Sequence, residues 1–198
     1  MTRPRKDGGF PPADMPVRTV HSGWLDLHLV ELTGPDGATY ERYVEDHGRA
    51  AAVLPYNPAT RMALLVTMPR AALRFAGGDD DVLEAPAGLI DRGETALACA
   101  RRELLEEAGL AIDHLEPAGA IIPSPGISTE RIDLFLAAYD DAQRTGPGGG
   151  LDSENENITV VEMPLDELWT SIESDLAADA KTRILVQALR IRRPDLFS

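Results

Sequence analysis

Three glutamates, Glu103, Glu106 and Glu107, stand within one short stretch of the chain. A helix turns about 100° per residue, so Glu107 would lie about 40° from Glu103 around the axis, and Glu106 about 60° to its other side. In a helix over 94–108, three carboxylates therefore crowd one face. Like charges at these spacings cost about a few tenths of a kcal/mol each, and nothing basic at this spacing offsets all three. Such a face is either fully solvated or neutralised by a cation. A hard dication such as Mg²⁺ or Mn²⁺ takes carboxylate oxygens and bridges to phosphate oxygens. Another face carries Leu97, Ala100, Leu104 and Ala108, which can pack inward. Cys99 sits among small residues and reads as core packing rather than as a nucleophile. Gly109 follows at the position where a helix often ends left-handed, and Gly88 and Gly93 let the preceding loop bend close to a ligand.

The wider stretch from Gly88 to Leu110 has a fuller pattern. It runs glycine, five residues, glutamate, seven residues, then Arg-Glu-apolar-x-Glu-Glu-x-Gly-apolar. This resembles the Nudix box at every defined position. The resemblance implies an α+β fold, an α/β/α sandwich with a mixed sheet, and metal-dependent hydrolysis of a nucleoside diphosphate linked to another group. It implies Mg²⁺ (or Mn²⁺) ligands at Glu103, Glu106, Glu107 and the carbonyl of Ala87, and a structural ion pair between Glu94 and Arg102.

Other segments narrow the resemblance to the ADP-ribose and GDP-mannose pyrophosphatase subfamily. The loop Pro123–Arg131 holds Ser-Pro-Gly followed by Glu130-Arg131; Glu130 then resembles a contact to substrate or metal-bound water, and a candidate base. The acidic lid Gly146–Asn157 resembles the loop that carries the general base in the ADP-ribose branch, at Glu154, with Glu156 in reserve. A glutamate on a closing loop can take a proton from the attacking water. Leu83–Gly88 resembles the subfamily's approach to the box, with Glu84 a substrate contact. Leu64–Arg70 resembles a strand that usually ends Gln-Phe-Arg; Met68 and Pro69 depart from that pattern, while Arg70 is kept as a phosphate ligand. The resemblance also implies a homodimer whose N-terminal hairpins exchange, with Trp24 placed to stack on a nucleobase. Two other readings stand beside this one: a nucleoside-triphosphate sanitising Nudix enzyme, and a Nudix-fold sensor that binds such a ligand without cutting it.

The elements that must position these residues follow from periodicity. Trp24–Thr33 alternates apolar and polar, turns at Gly34-Pro35-Asp36-Gly37 and continues through Thr39–Val44, which predicts a β-hairpin. Ala50–Pro55 and Met62–Thr67 predict a second hairpin, Gly119–Ile122 and Ile132–Tyr139 two strands around the Pro123–Arg131 loop, and Ile158–Met163 a last strand. Leu165, Leu168, Trp169 and Ile172 recur at helical spacing behind Pro164, and Lys181–Arg193 continues as a helix that stops before Pro194. Trp169 reads as core filling. The expected organisation is a mobile tail over 1–15, an N-terminal extension over 16–48 that dimerises, and a hydrolase domain over 49–198.

Bulk properties agree with an ordinary globular chain: 43% of the 198 residues are hydrophobic and 26% charged. Acidic residues outnumber basic ones 33 to 19, for a formal charge of -14, which repels nucleic-acid backbones and argues against a general nucleic-acid binder. The single cysteine precludes an intramolecular disulfide and fits a reducing compartment. With no apolar run behind Arg3, Arg5 and Lys6, and no window of about 18 apolar residues anywhere, a cytoplasmic protein free of membrane is expected.

Overall fold

A computed structural model describes Pro12 and residues 14–77, 82–151, 157–174 and 179–197. Among the described residues the chain forms nine strands, four α-helices and two short 3-10 helices. An antiparallel sheet in the order β1-β2-β3 comes first, from Val17–Ser22, Asp26–Thr33 and Thr39–Asp46. It contains the expected hairpin, with each Asp26–Thr33 residue facing one of Thr39–Asp46. It also contains one strand more than the hairpin, because Val17–Ser22 pairs alongside β2 with an irregularity at Thr19–His21. That strand is wholly exposed and carries no clean alternation, so periodicity does not reveal it.

The second sheet runs β7-β8-β4-β5-β9, with β6 also paired to β4. Its strands are β4 (Ala50–Asn57), β5 (Met62–Thr67), β6 (Ala87–Leu89), β7 (Glu116–Ile121), β8 (Ile132–Ala138) and β9 (Thr159–Pro164). β4 and β8 are parallel and the other pairs antiparallel. The sheet is therefore mixed, as expected.

β4 shows why the molecule has three layers. Successive side chains on a strand point to opposite faces, and every residue of β4 is buried. Ala50, Ala52, Leu54 and Tyr56 enter one core with Leu165, Leu168, Ile172, Leu185 and Leu189. Ala51 and Val53 enter the other with Cys99, Ala100, Leu104 and Ala108. The first core is roofed by α3 (Leu165–Glu173) and α4 (Ala180–Arg192), the second by α2 (Ala96–Ala108). Trp169 packs against the first core edge-on to Phe197, with Arg190 over its ring. A short α1 (Ala71–Phe75) follows β5.

Candidate active site

Helix α2 begins at Ala96, two residues later than the expected start at 94, because Thr95 caps it: the Thr95 hydroxyl accepts the Ala98 N–H at 3.1 Å. It ends at Gly109, left-handed at φ 67°. Beyond it, the start of the acidic lid folds back onto the helix end. The N–H groups of Gly149 and Gly150 donate to the carbonyls of Glu107 and Glu106 at 2.9 and 3.0 Å, and Thr145 donates to Gly109. These are carbonyls that a helix C-terminus leaves without an internal partner. Gly148, at φ 70°, comes so close that an added Cβ would lie 2.3 Å from the Glu107 carbonyl.

The three glutamates sit on the face of α2 toward β6. Glu103 and Glu107 are buried, while Glu106 is partly exposed. Gly88 of β6 makes room for Glu103: a Cβ at Gly88 would meet the Glu103 carboxylate at 1.7 Å. Glu107 Oε2 accepts the Ala87 N–H at 3.0 Å. Arg102 offsets two of the three glutamates, Glu103 and Glu106, but makes no ion pair with Glu107. Arg102 Nη1 reaches Glu103 at 2.6 Å and Glu106 at 3.1 Å, while its Nε and Nη2 hold Glu94 at 3.1 Å each and Nη2 also donates to the Leu89 carbonyl. Arg102 thus pairs with Glu94 as expected and, in addition, neutralises part of the acidic face. Burial works against its charge, but the hydrogen bond to Glu94 and the field of Glu103 outweigh that and raise its pKa. Glu94 is displaced downward, burial being outweighed by Arg102.

Among the described residues, no three acidic, histidine or cysteine side chains form a ready-made metal cage. The donor set still fits a hard dication. It offers carboxylate oxygens on one helix face beside the backbone of residues 87–89, and buried acids there gain from a cation that a solvated face would not need. Cys99 is no competitor as a ligand or nucleophile. It is fully buried, and burial followed by the field of Glu103 pushes its thiol up to about 12.

Arg70 and Glu84 meet each other. Arg70 Nε and Nη2 form a two-pronged pair with Glu84 at 2.6 and 2.7 Å, and Lys181 of α4 also donates to Glu84. Lys181, which the sequence reading passed over, also lies 3.1 Å from Asp179. Burial penalises the Glu84 charge, yet Arg70 and Lys181 hold its pKa below the ordinary carboxylate value. Arg70 also lies in the field of Glu107, so this cluster adjoins the acidic face.

Glu130 and Trp24 are joined through a residue with no motif around it, His47. Its imidazole stacks on Trp24 with ring centroids 5.4 Å apart, and its Nε2 lies 3.3 Å from Glu130 Oε1. No local pattern announces His47, because its partners come from separate segments. Glu154 and Glu156 lie outside the described residues.

Comparison with known proteins decides the family. Residues 46–186 match the model of the NUDIX domain. The chain belongs to the Nudix family. Curated relatives of this Nudix protein include GDP-mannose pyrophosphatases from Cronobacter sakazakii, 41% identical over 82% of this chain and 85% of theirs, and from Klebsiella pneumoniae, 38% identical over 87% and 88%. One from Escherichia coli is 32% identical over 88% of this chain and 92% of its own. A crystal structure described as an ADP compounds hydrolase superposes with a TM-score of 0.71, covering 94% of this chain and 98% of that one at 19% identity. That likeness establishes the Nudix fold expected from the box. Among the described residues no helix is long and apolar enough to cross a membrane.

Proposed function

We propose that this Nudix protein hydrolyses the diphosphate of a nucleoside diphosphate-sugar, with GDP-mannose ahead of ADP-ribose, to a nucleoside monophosphate and a sugar phosphate. The observation that carries the reading is identity of 32–41% to GDP-mannose pyrophosphatases over more than four fifths of the chain. The intact box and its placement on α2 against β6 support it.

In this reading Glu103, Glu106, Glu107 and the Ala87 carbonyl hold Mg²⁺, with Mn²⁺ a substitute. When bound, the ion neutralises diphosphate charge and favours ionisation of water. Glu154 takes the proton of the attacking water, or Glu130 does so in its place. The water oxygen forms a bond to one phosphorus as that phosphorus loses its bond to the bridging oxygen, which leaves with the other phosphate. Arg70, held rigid by Glu84, presents a fixed guanidinium to a phosphate, and Glu84 borders the substrate. Trp24, 66% exposed, stacks on the nucleobase with His47 behind it. The working unit is a cytoplasmic homodimer joined through the extension over residues 16–48.

The test is phosphate release, after coupled phosphatase treatment, from GDP-mannose, ADP-ribose, ADP-glucose, NADH and dGTP, with Mg²⁺ and with EDTA. Metal-dependent cleavage of a sugar nucleotide, GDP-mannose foremost, is expected. Preference for dGTP would transfer the protein to the triphosphate-sanitising class, and tight ligand binding without product would make it a sensor.

A further inference from the structure

His47 follows directly on β3 and is held from three sides. Trp24 covers one face of the ring at an interplanar angle of 20°. Nε2 faces Glu130 Oε1 at 3.3 Å, and Nδ1 lies 3.1 Å from Glu45 Oε1, though without hydrogen-bond geometry. The His47 side chain is 11% exposed, so these contacts are shielded from bulk water. The segment bearing Glu130 is itself tied to the end of β3. Glu45 N–H donates to the Ile127 carbonyl at 2.8 Å, Thr129 N–H donates to the Glu45 carbonyl at 3.0 Å, and the Thr129 hydroxyl donates to Asp46 at 2.8 Å. Backbone contacts thus fix where the loop stands, while the Glu130 carboxylate, at the end of a side chain with several rotatable bonds, needs a partner of its own to be held in one orientation. Among the described residues, the polar partner of that carboxylate is the imidazole.

We propose that His47, backed by Trp24, is a positioning residue that fixes the Glu130 carboxylate in the orientation used by the reaction. The role rests on the pyrophosphatase reading and, within it, on Glu130 acting at the attacking water or the substrate. A displacement of about 1 Å at a reacting group can cost about a hundredfold in rate, so a side chain that selects one rotamer of Glu130 governs turnover without touching substrate. Contact with Glu130, aided by Glu45 and Asp46 and opposed by burial, also raises the imidazole pKa above 6.5, so the charge of the ring favours the same pairing.

A double-mutant cycle in steady-state kinetics tests this, with the sugar nucleotide that the wild-type protein cleaves best. His47→Ala is expected to lower kcat about ten- to hundredfold, with a much smaller change in KM. His47→Gln, whose amide reaches the Nε2 position, is expected to restore most of kcat, whereas His47→Asn, whose amide reaches only the Nδ1 position, is not. In a Glu130→Gln background, His47→Ala should cost almost nothing further, since the two residues act as one unit. A merely structural histidine would give equal losses in both backgrounds, tracked by the melting temperature. That result, or an unchanged kcat in His47→Ala, overturns the role while leaving the pyrophosphatase reading intact. A folded wild-type protein that cleaves no sugar nucleotide overturns that reading and this role together.

Discussion

Glu107 answers to two demands at once. Its carboxylate accepts the Ala87 N–H at 3.0 Å, which ties α2 to β6, and in the proposed reaction it binds the metal. Glu107→Gln separates the two. The amide keeps an oxygen for Ala87 but loses the charge, so the melting temperature should stay close to that of the wild type. Charge stabilisation by a bound metal contributes several kcal/mol, so turnover should fall by about a hundredfold or more. Paired activity and thermal-melt measurements check this, and an active variant would remove Glu107 from the metal set. His47 carries a different prediction, in pH. Its pKa is raised in the folded state, chiefly by Glu130 and then by Glu45 and Asp46. A raised histidine pKa stabilises the fold fully below the ordinary value of 6.5 and loses that contribution as pH rises through the folded value. The melting-temperature advantage of the wild type over His47→Gln should therefore be largest near pH 6 and shrink on the alkaline side. An advantage that grows with pH would contradict the pairing.

At the scale of elements, α2 works because its surroundings have been emptied of side chains. Gly88 leaves the space that Glu103 occupies, and Gly148 lets the lid's base lie on the helix C-terminus. Two substitutions should therefore fail in different ways. Gly88→Ala drives its methyl into the end of a movable carboxylate, so the fold should survive while metal-dependent turnover is lost. Gly148→Ala combines a left-handed φ of 70° with a clash against the Glu107 backbone. Strain of this kind costs about 1–3 kcal/mol, so stability and turnover should both drop, as thermal melts and kinetics would report. An active Gly88→Ala would contradict the placement of Glu103. The same elements show what the sequence reveals and what it hides. Strands β4, β5 and β8 and helices α2, α3 and α4 are legible because each buries a long apolar face whose period shows in the residues. The acidic trio and the Glu94–Arg102 pair are legible because one helix and its approach hold them all. β6 is three residues long and exists because β4 pairs with it, and α1 buries nothing, so neither leaves a periodic trace. Arg102's grip on Glu106 does follow the visible i,i+4 spacing, but its shared hold on Glu103 depends on rotamers. His47 with Glu130, and Lys181 with Glu84, bridge 83 and 97 positions of chain, a separation that no local pattern encodes.

For the whole molecule, the three-stranded sheet poses the remaining question. Val17, Val20, Tyr40 and Tyr43 are exposed on it, and β1 lies at its edge. Val17 faces Val30 and Val30 faces Arg42, two residues from Tyr40, so Val17 and Tyr40 share one face. Exposed apolar side chains gathered on an edge-bearing sheet mark an interaction surface. Two copies of a 21.4 kDa chain meeting there would cover it, and light scattering should report about twice the monomer mass for the wild type. Val17→Asp combined with Tyr40→Asp places charge on that face and should give a monomer. What the monomer then does separates two ways of building the site. The acidic face of α2, the Arg70–Glu84–Lys181 cluster and the Trp24–His47–Glu130 stack are each closed within one chain. If the chemistry belongs to these, the monomer keeps kcat, and whatever surface a second copy adds serves binding alone, so its loss raises KM. A monomer that binds substrate normally but has lost kcat would instead mean that the partner subunit completes the reacting centre, and that the contacts within one chain are scaffold alone.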